Sequence, residues 1–295
     1  MTLAYFDANI TVSSPTPPNA LDAKPFVKWV GGKQQLLTQF KAFFPKDFKR
    51  YFEPFVGGGA VFFHFWNKKR LPNQVFLFDN NRELVNVYCT IRDRLQELTS
   101  LLSTYKTNHN KEYYYKIRNL DRQPVKLDDV ERAARTIYLN RTCYNGLYRV
   151  NSKGQFNVPM GSYKNPEILF KKVLHSANEA LQNVCVEVKD FREVVNLAHP
   201  GDFFYFDPPY DPVSNTASFT SYTADSFRDQ DQKDLAAVFT RLTDMGCYCM
   251  LSNSHTPFIL ELYQKFRIEI VYAKRAVNSD ANGRGAIKEV VVLNY

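Results

Sequence analysis

A chain of 295 residues, 44% hydrophobic and 23% charged, has ample material for a core and the make-up of a soluble globular protein. No apolar run approaches the roughly 18 residues that span a bilayer, and the N-terminus lacks the basic-then-apolar order of a signal peptide. A cytoplasmic location without membrane attachment is therefore expected. Five scattered cysteines and five scattered histidines lack the spacing of a disulfide framework or metal site, so no metal is expected.

Residues 1–24 carry Ser13, Pro15, Pro17 and Pro18 without sustained periodicity, and read as a flexible leader with no part in the chemistry. Next, Lys28-Trp29-Val30-Gly31-Gly32-Lys33 precedes Leu36, Leu37, Phe40 and Phe44 at helical spacing. A glycine turn opening a helix presents free amides to anionic groups. The Walker pattern is absent, so nucleoside triphosphate binding is not expected. The residues fit a carboxylate site beside Lys33 with an aromatic surface at Trp29. Taken alone, they fit a plain loop with an exposed lysine and a core tryptophan better.

Glu53-Pro54-Phe55-Val56-Gly57-Gly58-Gly59 is a second glycine turn, entering a helix through Phe62, Phe63, Phe65 and Trp66. The strand-like Gln74-Val75-Phe76-Leu77-Phe78-Asp79 follows. Its terminal acid lies near the spacing at which a Rossmann-type acid receives ribose hydroxyls. The order of turn, helix, strand and acid predicts an adenosine-type ligand. Phosphate-binding and methyl-donor versions share this layout.

Residues 82–141 have a helical period, interrupted by a basic stretch poor in apolar residues from Lys106 to Lys126. Over 82–169 there are 15 Lys/Arg against 9 Asp/Glu, a surplus that suits either a polyanionic partner or a solvated helical surface. Tyr144 to Pro159 alternates about Asn151-Ser152-Lys153-Gly154 and predicts a β-hairpin. It offers an arginine, Arg149, for guanine and an aromatic or aliphatic wedge for a base step, though without context an ordinary hairpin with exposed polar residues fits slightly better. The insertion has the character of a recognition subdomain between halves of a sheet.

After a helix near 166–182 and a strand at 184–188, Phe203-Phe204-Tyr205-Phe206 reads as a buried strand leading into Asp207-Pro208-Pro209-Tyr210. Two prolines stiffen the chain and leave outward-facing carbonyls. The Asp207 carboxylate and Pro208 carbonyl suit the two N–H groups of an exocyclic amine, whose lone pair they would localise. Tyr210 would stack on the base. Residues 211–226 form a long polar-aromatic loop, expected as a lid. A helix near 228–242, a strand near 246–251, a helix near 256–264 and strands near 266–273 and 286–294 close an α/β pattern.

Together the four motifs, in this order, resemble the Dam-type DNA adenine-N6 methyltransferases (D12 class, alpha group). The resemblance covers about 25–295. It implies a Rossmann-like S-adenosyl-L-methionine-dependent fold: a mixed, mostly parallel sheet flanked by helices, over 25–81 and 170–295. A mostly helical DNA-recognition domain carrying a β-hairpin, 82–169, would be inserted. The implied reaction is methyl transfer from S-adenosylmethionine to an adenine flipped from double-stranded DNA, within GATC. By the same resemblance, Trp29, Lys33, Phe55, Gly57, Asp79 and Asp207 hold the cofactor, while Asp207, Pro208 and Tyr210 carry the chemistry. Lys28 would contact the first guanine, and Tyr144 and Asn145 the space around the adenine. Leu147 and Pro159 would meet thymine and Arg149 the outer guanine, with Arg118, Arg141, Asn151 and Asn157 on the backbone. Relatives commonly place a basic residue before Tyr163, where this chain has Ser162, and Thr142-Cys143 is less aromatic than usual. A catalytically inactive DNA-binding regulator, or an RNA or protein amino-methyltransferase, would share parts of this pattern.

Overall fold

Phe203, Phe204, Tyr205 and Phe206 are all buried and form one short strand near the middle of a seven-stranded sheet. Burying a large apolar side chain contributes roughly 1.5–3 kcal/mol, more than the whole ~1 kcal/mol spread of strand propensities, so packing decides the register. The computed structural model describes residues 22–124, 126–212, 227–273 and 286–295. Most of the expected leader and the expected lid lie outside them.

The strands are β1 (Tyr51–Glu53), β2 (Val75–Asp79), β3 (Val184–Val188), β4 (Phe203–Phe206), β5 (Tyr248–Ser254), β6 (Arg267–Ala273) and β7 (Ile287–Leu293), ordered β3-β2-β1-β4-β5-β7-β6. The first five in that order pair in parallel; β7 runs antiparallel to both β5 and β6. This is the mixed, mostly parallel sheet expected of the Rossmann-like class. Strand order reverses at β1, where β2 lies on one side and β4 on the other. In open α/β sheets, the crevice at the carboxyl ends beside such a reversal is where ligands bind.

Alternation along the strands sends side chains into two cores. Tyr51, Leu77, Phe203 and Tyr205 face one, with the helices α2 (Ala60–Asn67), α3 (Arg82–Asp93), α4 (Leu95–Thr107), α6 (Asp129–Thr142) and α7 (Lys171–Leu181). Phe52, Phe78, Phe204 and Phe206 face the other, with Phe191, α8 (Asp229–Asp244) and α9 (Pro257–Leu262). On the second face a stripe of rings crosses three strands. Phe76 stacks on Phe52 at 4.5 Å and Phe52 on Phe204 at 4.4 Å, with planes within 12°.

The helical segment between β2 and β3 is anchored to the sheet by α3, which touches β2, β3, α6 and α7. Several boundaries differ from the sequence expectations for local reasons. Only Leu37–Phe40 is helical after the first glycine turn, as α1, since Lys33 O accepts from both Leu36 and Leu37 in tight turns and Pro45 follows closely. The basic stretch contains α5 (Lys111–Arg118), started by Asn110, whose side chain accepts from Tyr113 N–H, and held by buried Tyr114 and Ile117. The expected hairpin turns at 151–154, where the Asn151 side chain accepts from the amides of Lys153 and Gln155. Its ladder is reduced to isolated antiparallel bridges, Cys143 with Met160 and Val150 with Phe156. Backbone bonds still cross between the arms, from Asn151 N–H to Gln155 O and from Asn157 N–H to Arg149 O. The outer edge of the returning arm is held by side chains: Asp121 accepts from Phe156 N–H, Arg122 donates to Phe156 O, and Tyr114 and Arg118 donate to Val158 O.

Candidate active site

Three acids end three adjacent parallel strands: Glu53 on β1, Asp79 on β2, and Asp207 just past β4. Asp207 Oδ1 lies 2.7 Å from Lys33 Nζ and accepts a longer bond, 3.5 Å, from Ser252 on β5. Among the described residues nothing donates to Oδ2. Burial pushes this carboxyl up to about 6, against the opposing pull of the Lys33 ammonium. Lys33 is itself buried, donates to Gly31 O at 2.5 Å, and lies 4.7 Å from the centre of the Tyr210 ring. The Tyr210 hydroxyl donates to Glu289 on β7 at 2.7 Å.

The proline carbonyls differ. Pro209 O turns inward and accepts from buried Gln232, contrary to the expectation that both face outward. Pro208 O has no donor among the described residues. Gln232 also accepts from Asn253, whose own oxygen receives the Asp211 N–H. Ser254 and Thr256 donate to Asp211. This buried polar network fixes the chain just beyond the tetrapeptide.

The second glycine turn lies against the first. Gly57 has φ +48, and a Cβ there would meet Trp29 Cδ1 at 3.0 Å, so only glycine fits both the backbone and the indole. Asp79 accepts from Gly57 N–H at 3.1 Å and from Asn81 N–H at 2.9 Å; burial raises its pKa while both bonds oppose the rise. Tyr88 donates to Gly57 O at 3.0 Å. Phe55 points to the opposite face and packs on Phe191 and Phe227. Glu53 is buried with a strongly raised pKa, from desolvation first, and accepts from Tyr51.

Trp29, Lys33, Gly57, Asp79, Asp207 and Tyr210 thus meet at one sheet edge. Close by, Tyr148 places its ring 5.3 Å from Trp29, joining the segment between β2 and β3 to that edge. Tyr144 and Asn145 are exposed in a tight turn, Tyr144–Gly146, where Asn145 has φ 54. Leu147 is half-buried; Arg149 and Pro159 are exposed, and Arg149 Nε donates to Asn157 at 2.8 Å. Lys28 is exposed, with Nζ 3.2 Å from Tyr163 OH. Arg118 and Arg141 are partly drawn inward. The latter donates to Phe26 O and lies 3.8 Å from the Phe170 ring centre, and its Nε has no partner among the described residues.

Sequence reasoning did not single out Asn140, Tyr148, Gln232, Ser252, Asn253 or Glu289 as functional. The strand expected near 246–251 ends before Ser252 and Asn253, whereas β5 continues to Ser254. A polar groove between α4 and α7, lined by residues including Thr99, Ser103, Lys171 and His175, contains none of the motif residues. Among the described residues no His, Cys, Asp or Glu cluster could hold a metal ion, and no helix is long and apolar enough to cross a membrane.

The profile of the D12 class N6 adenine-specific DNA methyltransferases matches residues 29–277. The chain belongs to this family. It is 43% identical over 281 residues to the type II methyltransferase M1.LlaDCHI of Lactococcus lactis subsp. cremoris, covering 94% of this chain and 97% of that protein. It is 42% identical over 290 residues to M.MjaIII of Methanocaldococcus jannaschii, covering 93% and 100%. The DNA adenine methylase of Escherichia coli K12 shares 33% identity over 271 residues, covering 91% and 94%. This D12 methyltransferase is accordingly an adenine-specific DNA enzyme, and its family implies S-adenosylmethionine as methyl donor. The residues present fit that donor. A cradle without Cβ at Gly57, the indole of Trp29 and the partly exposed carboxylate of Asp79 suit a nucleoside carrying a charged tail.

Proposed function

We propose that this D12 enzyme methylates adenine N6 within GATC in double-stranded DNA, after rotating the base out of the stack. The observation that carries the reading is the division of labour at Asp207. Oδ1 is tethered to Lys33 and Ser252, while Oδ2 and Pro208 O have no donor among the described residues. Two open acceptors match the two N–H groups of an exocyclic amine and favour the positive charge that develops on nitrogen. S-adenosylmethionine, when bound, supplies a methyl group on sulfonium sulfur. Trp29, Gly57 and Asp79 would hold it, with Phe55 supporting the turn from the opposite face. Tyr210 would stack on the flipped adenine, offsetting an unstacking cost of a few kcal/mol. Asp207 Oδ2 and Pro208 O would orient the amine for direct displacement, without a covalent enzyme–base intermediate.

Residues 82–169 would act as the target-recognition unit. Lys28 and Arg149 would read the outer guanines, and Tyr144 and Asn145 would occupy the space beside the displaced base. Leu147 and Pro159 would pack on the thymine side, while Arg118, Arg141, Asn151 and Asn157 would lie along the phosphates. The exposure of Lys28, Tyr144, Asn145, Arg149 and Pro159 supports this assignment. The enzyme would work as a monomer in the cytoplasm, at the nucleoid. The deciding experiment is labelled methyl transfer into duplexes in which each base pair of GATC is replaced in turn. Transfer confined to adenine in the intact site is expected; equal transfer into all duplexes, or none into DNA, would refute the proposal.

A further inference from the structure

Asn140 is almost wholly buried in the last turn of α6, and its amide is spent entirely on backbone. Its Oδ1 accepts from Lys28 N–H at 2.8 Å. Its Nδ2 donates to Lys28 O and to Gly146 O, each at 2.9 Å. Only this orientation of the amide is consistent, since the flipped one would set an oxygen against two carbonyls. A single side chain therefore pairs both backbone groups of Lys28 and clasps them to the turn after Tyr144 and Asn145.

The contact continues through side chains. Gly146 has φ +66, and a Cβ there would stand 2.3 Å from Lys28 Cδ and 3.0 Å from Lys28 Cβ. The lysine stem thus lies directly over the Gly146 α-carbon. Its ammonium ends 3.2 Å from Tyr163 OH and 4.5 Å from that ring's centre. Backbone, stem and tip of Lys28 are each held by a different residue of the recognition segment or its flank.

We propose that Asn140 is a specificity-positioning residue: it sets the offset between Lys28 and the Tyr144–Leu147 turn, and so the fit to the base pair that Lys28 reads. This rests on the DNA-recognition reading above. Asn140 touches neither base nor cofactor in this scheme and acts through Lys28 and Gly146.

The test compares wild type, Asn140→Ala, Asn140→Asp, Gly146→Ala, Lys28→Ala and the Lys28→Ala/Asn140→Ala pair. Each is assayed for kcat/KM on the intact duplex and on duplexes with either outer guanine replaced. Asn140→Asp keeps the acceptor but turns both donations into repulsions. Gly146→Ala keeps the carbonyl but displaces the lysine stem. Discrimination at the Lys28 base pair should fall by about tenfold in Asn140→Ala, Asn140→Asp and Gly146→Ala, with the other guanine still read, and the pair should be no worse there than Lys28→Ala alone. S-adenosylmethionine affinity, measured by calorimetry, should stay within about threefold of wild type. A uniform loss on every duplex, or additive effects in the pair, would overturn the inference while the wild-type preference stands. If wild type ignores that base pair, the recognition reading itself falls.

Discussion

Tyr210 donates its phenolic proton to Glu289 at 2.7 Å, which ties the ring ending the β4 tetrapeptide to a strand two places away. The Lys33 ammonium lies against the same ring, so its tilt is set by two elements remote in sequence. Glu289→Ala should free the ring and lower single-turnover methyl transfer by about tenfold, of the order of one hydrogen bond to a charged acceptor. Glu289→Gln retains an acceptor and should lose much less. Equal losses in the two variants would show that the bond is not what matters.

Asp207 links activity to pH. Burial raises its carboxyl to about 6 and Lys33 opposes that rise, while the negative charge of Glu289 adds to it. The acceptor form is present above that value and is lost as pH falls through it, so kcat/KM should show an acidic limb near 6. Lys33→Met removes the opposing charge and should move the limb upward; Glu289→Gln should move it downward. A limb unmoved by both would exclude Asp207 as its source. Asp207→Ala should abolish transfer yet largely spare DNA binding in a mobility-shift assay.

Asn253 is a stability prediction. Truncation to alanine leaves the Gln232 oxygen and the Asp211 N–H without their partner in a buried setting, at a cost of about 1–3 kcal/mol. Thermal melting should drop by roughly 2–4 °C for each kcal/mol lost. Transfer should fall as well, because the network holds Pro209 and Asp211 on either side of Tyr210.

Arg149→Ala should relax preference at one outer guanine by about 1–3 kcal/mol, seen as competing transfer into a duplex altered there. Asn157 then loses a donor at its side-chain oxygen. An unchanged preference would assign that base pair to another residue.

Residues close in sequence made the strand ends legible. The aromatic run 203–206 before two prolines and the separation of Gly57 from Asp79 are local patterns, and the acids they point to, Asp207 and Asp79, end up past β4 and on β2, on either side of β1. What stayed hidden depends on contacts across the fold. Asn140 sits in an ordinary helical repeat, and only the folded chain brings Lys28 to it from 112 positions away. Glu289 alternates on an unremarkable strand until β7 inserts between β5 and β6. The hairpin is shorter than the alternation predicts: Asn151 and Asn157 N–H donate across it to Gln155 O and Arg149 O, while the outer edge of its second arm is bonded by Asp121, Arg122 and Tyr114 from outside the segment.

The ring stripe from Phe76 through Phe52 to Phe204 bears on ionic strength. These rings lock β2, β1 and β4 side by side through apolar stacking, with the Arg50 guanidinium lying over the Phe52 and Phe76 rings, and slipping any strand by one residue would turn its ring to the wrong face. Brine that strips a protein from phosphates should therefore leave the separation of Asp79 and Asp207 intact, so capture of nucleic acid would fade with added electrolyte while capture of the small donor endures.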